Sequence, residues 1–313
     1  MRRLMISFSG GETSAYMTRW LLTTQRSAWD EIVVVFANTG EEREETLDFV
    51  HKCDIHFGFN TVWIEGVQYP GERKSAGFKI VDYATASRDG TPFEESIAKY
   101  GIPNQKFKDC TRNLKRRPME AYLRSLGWED YTVAIGIRVD EIDRMSSDAS
   151  RKLFYPLCTV HPMTKPKINS WFSKQPFRLD LKGYQGNCKW CWKKSDRKHF
   201  TLFAEDPSIY VFPWKMEQKY GRHGPEFRHD PTTRRDPLPD TYRRTFFRGN
   251  RSVEDLYAAY EKIKNTFIPA TDDAQIFDPE LDVGGGCEES CEVYADEDEI
   301  SNRRGQDEDC TLR

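Results

Sequence analysis

The feature that most constrains this chain is a corner near its start. Leu4-Met5-Ile6 leads into Ser7-Phe8-Ser9-Gly10-Gly11-Glu12-Thr13-Ser14, which leads into Ala15-Tyr16-Met17. An apolar strand runs into a glycine pair and then directly into a helix. Such a corner aims the unpaired N–H groups of a first helical turn, with the positive end of the helix dipole, at one point. A phosphate suits that point. Gly10 and Gly11 admit backbone conformations closed to other residues and let an anion approach the chain. Ser7, Ser9, Thr13 and Ser14 add hydroxyl groups. No lysine follows the loop, which excludes a Walker-A motif.

The segments that follow alternate in type. Leu4–Phe8 reads as a strand, Gly11–Thr23 as a helix, Glu31–Ala37 as a strand, Glu42–Cys53 as a helix and Thr61–Glu65 as a strand. Ile32-Val33-Val34-Val35-Phe36 is a continuous apolar run, the pattern of a strand covered on both faces. A helix over Pro118–Leu126 precedes a further buried strand over Tyr131–Ile137. This alternation predicts an α/β fold: an open, mostly parallel twisted sheet with helices on both faces and right-handed crossovers. Residues 156–186 read as a Pro/Lys-rich connection and residues 206–250 as irregular. Val253–Thr266 reads as one helix with Leu256, Tyr257, Tyr260 and Ile263 on a face. The expected organisation is a nucleotide-binding domain over 1–205, an irregular and helical extension over 206–270, and an acidic flexible tail over 271–313.

Two further elements stand at carboxyl ends of strands, where open parallel sheets bind ligands. The first is Asn38-Thr39-Gly40, followed by Glu45-Thr46. The second is Gly136-Ile137-Arg138-Val139-Asp140-Glu141-Ile142-Asp143-Arg144. Arg138 and Arg144 can grip phosphate or sulfate oxygens bidentately, with Glu141 orienting a guanidinium.

The loop resembles the Ser-Gly-Gly-x-x-Ser PP-loop of the ATP pyrophosphatases and the PAPS (phosphoadenosine phosphosulfate) reductase family, and the two later elements are similar to that family's second and third motifs. The resemblance covers about residues 1–205. It implies an adenine nucleotide alpha-hydrolase-like fold and chemistry at the α-phosphate of an adenine nucleotide. Ser7, Ser9, Gly10, Gly11, Thr13, Ser14, Asn38, Thr39 and Gly40 would hold the nucleotide, and Arg138, Glu141 and Arg144 would act on it. Thr13 replaces the Asp common in ATP-using members, which bears on any Mg²⁺ at the loop.

The chain has eight cysteines. Cys188-Lys189-Trp190-Cys191 puts two thiols on one tight turn among Lys189, Lys193 and Lys194, suited to a metal or to redox work. Cys110 stands 78 positions upstream, in Asp109-Cys110-Thr111-Arg112. This layout resembles that of assimilatory adenylyl-sulfate reductases, where a Cys-Cys pair and a later Cys-x-x-Cys bind a [4Fe–4S] cluster; here Asp109 replaces the first cysteine of the pair. The resemblance implies an iron–sulfur cluster on Cys110, Cys188 and Cys191, with Cys158 or an open iron position as the fourth site. Zinc in a Cys-only or Cys/His site, with His161 or His199, is the alternative, as are redox thiols without metal. Cys287 and Cys291 flank Glu288-Glu289-Ser290 behind a glycine run, and the reductases' Glu-Cys-Gly-(Leu/Ile)-His tail motif is missing. Cys53 reads as a small core residue, and Cys310 has no assigned role.

Net charge is −3, yet residues 271–313 alone carry 15 acidic and 3 basic side chains. Residues 1–270 therefore hold 44 basic and 35 acidic ones, a balance that favours polyanionic partners. No run approaches the roughly 20 apolar residues of a membrane span, and Met1-Arg2-Arg3 opens a strand rather than a signal peptide. A cytoplasmic protein with reduced cysteines is expected. Three functions are consistent with these residues. The first is an ATP-pyrophosphatase-type enzyme that adenylates an acceptor and transfers sulfur to it, with a sulfur-donor or thioredoxin-like protein and a tRNA or DNA acceptor among its expected partners. The second is a PAPS or adenylyl-sulfate (APS) reductase that makes sulfite. The third is a non-catalytic nucleotide or nucleic-acid binding protein.

Overall fold

The computed structural model describes residues 1–69, 75–146, 148, 151–224, 227 and 238–271. The tail cysteines Cys287, Cys291 and Cys310 lie outside them. Six strands form one sheet: β1 (Arg3–Ser7), β2 (Glu31–Asn38), β3 (Val62–Val67), β4 (Gly77–Val81), β5 (Thr132–Ala134) and β6 (Leu153–Phe154), in the order β4-β3-β2-β1-β5-β6. All neighbours pair in parallel except β3 and β4. The chain builds outward from β1 to β4 and then returns to lay β5 against the other side of β1. Strand order therefore reverses at β1, and the crevice beyond the carboxyl ends of β1 and β5 is the switch point of the sheet.

The alternating direction of strand side chains explains why both faces are covered. Leu4, Ile6, Val34 and Phe36 point to one core, shared with helices α1 (Glu12–Thr24) and α2 (Glu44–Phe57). Met5, Val35, Ala37 and Ile64 point to the other, with Met119, Tyr122 and Leu123. Two helices complete this part, α3 (Thr91–Tyr100) and α4 (Arg117–Ser125), the latter entered through a π-helical turn over Thr111–Arg116. The mostly parallel α/β sheet matches the expected class. Strand β4 is a finding beyond it: the segment after β3 turns back as an antiparallel edge strand.

The second half of the chain is more helical than its sequence pattern predicts. Short α5 (Pro156–Thr159) and α6 (Lys165–Phe172) occupy the supposed connection, and α6 seats Ile168 and Phe172 in the α1–α2 core. Helices α7 (Asp196–Glu205), α8 (Val211–Tyr220) and α9 (Val253–Ile263) surround a third core. That core also takes Tyr184, Trp190 and Trp192 from the Cys-x-x-Cys region and Phe93 and Ile97 from α3. Residues 211–220, expected to be irregular, are helical because Phe212 and Met216 pack into it. No helix of the described residues is long and apolar enough to cross a membrane.

Glu217 is the polar tie within this third core. Its carboxylate accepts the N–H groups of Phe246 (3.1 Å) and Val253 (2.8 Å). Burial pushes its pKa up to about 7, against the pull of those two hydrogen bonds. The folded state therefore holds this proton more tightly than the unfolded chain does. Stability from this group is complete below about pH 4.5 and is lost as pH rises to about 7. Glu217→Gln, which cannot ionise and keeps one acceptor oxygen for these N–H groups, should remove that part of the pH dependence. The stability difference between variant and wild type should change by about 3 kcal/mol across this window. Urea unfolding at a series of pH values measures it; parallel curves for the two proteins would refute the assignment.

Candidate functional site

Strand β1 ends at the corner singled out in the sequence. Phe8 N–H still bonds the Val35 carbonyl (3.0 Å), and the chain then turns through Ser9, Gly10 and Gly11. Gly10 has φ +83°, and a Cβ there would lie 2.7 Å from Thr46 Cγ2. Glycine is thus required on two counts, conformation and space. Gly11 is the N-cap of α1 and supplies no capping side chain, so no side chain of the cap competes for the first-turn N–H groups. Ser14 Oγ donates to the Gly11 carbonyl and lies 2.9 Å from Ser9 Oγ. Ser7 Oγ is buried with no hydrogen-bond partner.

The segment after β5 closes on this loop. A Cβ on Gly136 would lie 3.0 Å from Ser14 Cα, so a glycine lets the end of β5 run against the first turn of α1. Arg138 follows. Its Nη1 donates to Thr13 Oγ1 at 2.8 Å, its Nε to Asp140 at 3.1 Å, and its Nη2 lies 3.3 Å from Glu141 Oε2. The Arg138 residue is 3% exposed. Glu141 also pairs with Arg144. The three residues expected to act together are therefore one ion-paired cluster, and Arg138 reaches the phosphate loop itself. A buried guanidinium at a helix N-terminus adds a fixed positive charge to the dipole.

The turn after β2 has a different character. Asn38 Nδ2 donates to Glu65 Oε1 (2.6 Å) and to the Ser87 carbonyl (2.8 Å), while its Oδ1 accepts Gly40 N–H (3.2 Å). Thr39 gives both its N–H and its hydroxyl to Glu42 Oε2. The side chains of Asn38 and Thr39 and the N–H groups of Thr39, Gly40 and Glu41 are thus all engaged within the protein, which fixes the shape of the turn.

The Cys-x-x-Cys hairpin docks on this same turn. Cys188 bridges Glu42 in antiparallel fashion, Lys189 N–H bonds the Glu41 carbonyl (3.1 Å) and Arg43 N–H bonds the Asn187 carbonyl (2.8 Å). The buried Asn187 amide donates to the Ser9 carbonyl at 2.8 Å and accepts from Thr46 at 3.4 Å. One side chain thus ties the hairpin to the phosphate loop. Trp190, between the two cysteines, is fully buried among Phe93, Phe212 and Phe246, and its Nε1 donates to Glu41 at 2.5 Å. Burial pushes the Glu41 carboxyl up to about 7, opposed by Lys189 and by this hydrogen bond.

Cys110 stands at the start of the π-helical turn, whose Lys115 lies 3.5 Å from Glu42 Oε1. Cys158 is elsewhere: its thiol donates to the Ile137 carbonyl (3.2 Å) and packs in the core on the α4 side. Among the described residues no group of three or more His, Cys, Asp or Glu side chains is arranged to hold a metal ion. Of the expected ligands, Cys188 and Cys191 share the hairpin and Cys110 starts the π-helical turn, while Cys158 is held by the Ile137 carbonyl in a different core. His161 stacks on Trp20 and Tyr16. His199 is buried against Tyr210 and faces Lys194, Arg248 and Arg251, which with its burial hold its pKa well below the usual value. Cys53 is a core residue, as expected.

A cleft of about 550 Å³ opens beside the first turn of α1, lined by Glu12, Glu45, Lys165, Arg178, Gln185 and Asn187 among others. Arg178 grips Glu12 through two hydrogen bonds of 3.1 Å, and Leu179 N–H adds a third to the same carboxylate. Sequence reasoning missed Arg178 and Asn187. Asn187 carried a signal, its place directly before Cys188; Arg178 carried none.

No protein-family model matches the chain. The chain is 29% identical over 298 residues to an uncharacterized nin region protein of Escherichia phage lambda, spanning 93% of this chain and 94% of that one. It is 27% identical over 135 residues to an uncharacterized protein of Methanocaldococcus jannaschii, spanning 43% of this chain and 22% of that one. Among solved structures, it is similar to the phosphate complex of phosphoadenylyl-sulfate (PAPS) reductase from Candida auris, at 17% identity and a TM-score of 0.39, covering 61% of this chain and 82% of that one. The fold assignment rests on the sheet order and packing described above.

The Asn187–Ser9 bond has a measurable consequence. Asn187→Ala leaves the Ser9 carbonyl and Thr46 hydroxyl without this partner in a buried place. It should lower the unfolding free energy by about 1–3 kcal/mol, read by urea denaturation. A loss below a few tenths of a kcal/mol would mean that the bond does not couple the two loops.

Proposed function

We propose that this protein is a PP-loop nucleotide enzyme that acts at the α-phosphate of ATP and couples that step to sulfur transfer. The observation that carries the reading is the meeting of three elements at one corner. These are the uncapped first turn of α1, the buried Arg138 guanidinium 2.8 Å from Thr13, and the Cys188–Cys191 hairpin joined to the loop by Asn187.

In this reading the triphosphate lies over the Ser9–Ser14 corner. The first-turn N–H groups and Arg138 neutralise the pyrophosphate as it leaves, and an acceptor oxygen attacks the α-phosphorus. Preorganised donors aimed at developing charge supply most of such a rate enhancement. Mg²⁺ riding on the nucleotide would supply further charge neutralisation. The first-turn carboxylate, Glu12, is already held by Arg178 and Leu179 N–H, so the chain's own contribution at the loop is cationic.

We assign the sulfur step to the thiols of Cys188 and Cys191, which one tight turn holds beside the loop. A persulfide placed on one cysteine of the pair by a sulfur-donor protein displaces AMP from the adenylated acceptor. The resulting mixed disulfide is attacked by the second thiol, which frees the thiolated acceptor and leaves a Cys188–Cys191 disulfide. A thioredoxin-like protein reduces it.

A second reading, a PAPS or APS reductase forming sulfite, is favoured by one observation: Arg138 and Arg144 converge on Glu141, an arrangement that can also hold sulfate. Incubation with ATP and a sulfur donor, followed by pyrophosphate detection, separates the two. The proposal expects pyrophosphate and AMP from ATP. It expects Arg138→Ala to lower turnover about 100-fold and Cys188→Ser to leave ATP binding unchanged while ending sulfur transfer. Sulfite released from PAPS or APS, with ATP untouched, would overturn it in favour of the second reading.

A further inference from the structure

Helix α1 has an outer face that the proposed chemistry does not use. Tyr16, Arg19 and Trp20 lie on it, all half-buried. His161 stacks parallel to Trp20 (centroids 5.1 Å apart, planes at 5°) and to Tyr16 (6.0 Å, 12°), and its Nε2 lies 2.9 Å from Tyr16 OH. Tyr16 meets Trp171 edge-on at 5.3 Å, Trp171 lies 5.7 Å from Phe57, and Arg19 sits 5.1 Å over the Phe57 ring. The result is a row of half-buried rings, three of them stacked nearly parallel, on the surface of a chain that elsewhere buries most of its aromatics. Ile55 and Val160, each more than half exposed, border it.

The charge of the same region is one-sided. Between Asp148 and Asp180 the chain contains no acidic residue and six Lys or Arg. At the chain's average acid content, a stretch of that length would hold about five carboxylates. Lys167 and Lys174 are exposed, and Lys165 and Arg178 continue into the cleft beside the first turn of α1. The stretch itself has no carboxylate; Glu12, Glu45 and Asp180 line the cleft beyond it, where Arg178 pairs with Glu12. Flat rings beside such a cationic stretch are the combination that holds single-stranded nucleic acid. Bases stack on the rings, and phosphates follow the cations. A duplex hides its base faces and would use only the charge.

We infer that the outer face of α1 with residues 160–178 binds single-stranded nucleic acid and leads it into the cleft at the phosphate loop. The inference rests on the proposed function only in making the bound strand the sulfur acceptor; binding itself needs no nucleotide and is tested without one.

Fluorescence anisotropy of the full chain with a 20-nucleotide single-stranded DNA and the matching RNA tests it. Comparators are the duplex, an abasic strand of equal length and a poly-glutamate peptide. The inference expects one or both single strands to bind more tightly than the duplex, and at least about 5-fold more tightly than the abasic strand, the effect of one stacked base. For four phosphates neutralised, affinity should fall about 50-fold between 50 and 200 mM salt. Lys167→Glu with Lys174→Glu should weaken binding at least about 10-fold and reduce the log–log salt slope by about 1.4. Lys215→Glu with Lys262→Glu, on exposed positions of α8 and α9, should leave it unchanged. Whichever of DNA and RNA binds more tightly identifies the strand. Absence of binding to both strands, equal affinity for the abasic strand or the peptide, tighter binding of the duplex, or insensitivity to the Lys167/Lys174 reversal would overturn it. ATP binding measured separately on the Lys167/Lys174 variant should match wild type, so failure here is distinct from failure of the proposed nucleotide chemistry.

Discussion

A 2.8 Å hydrogen bond from the Asn187 amide to the Ser9 carbonyl joins two segments that lie 178 residues apart in sequence. Around it the hairpin adds two backbone hydrogen bonds to the turn after β2, which together form the Glu42–Cys188 bridge, and Thr46 on α2 closes the set. Ser9, Thr46 and Asn187 are buried, so their polar groups would cost free energy if left unpaired. The consequence is mutual dependence: the phosphate loop keeps its shape because the hairpin is docked, and the hairpin is docked because Trp190 is locked into the third core. The helical second half of the chain is in this sense part of the wall of the site.

The same corner is closely packed. Gly10 makes room for the Thr46 side chain, and Gly136 lets the chain after β5 run against the Ser14 backbone, which leaves Arg138 at the first turn of α1. A guanidinium removed from water is held by Asp140 and Glu141, which keep it in place while leaving it within reach of Thr13. Position at the reversal of strand order explains why these residues, from the ends of β1 and β5, can meet at all.

Much of this was legible in the sequence. The strands and helices up to residue 67 follow from apolar runs and glycine placement, and observed bounds differ from expected ones by few residues. The Ser-Gly-Gly loop and the Arg138–Arg144 segment were readable because strand-end position and residue type agreed. Other features left no local trace. β4 pairs antiparallel at an edge and alternates weakly, with Lys79 and Ile80 exposed. α6 is eight residues long and opens with a proline. α8 contains Pro213 and shows no apolar stripe, so its helix is set by packing of Phe212 against Trp190 and Phe93. The placing of Cys158 against Ile137 had no local signal, because spacing says nothing of which core a thiol enters. The roles of Asn187 and Arg178 depend on contacts with residues more than 160 positions away, which no local pattern encodes.

What unites these observations is one glycine corner and one buried arginine, which we propose as an anion seat, with a pair of thiols fastened beside it. A crystal structure of the protein with α,β-methylene ATP tests that directly. The account predicts the β- and γ-phosphates on the first-turn N–H groups of α1, with a non-bridging oxygen on the Arg138 guanidinium and the α-phosphorus facing the cleft. A nucleotide bound away from residues 9–14, or a loop whose N–H groups are all taken by the protein itself, would contradict it.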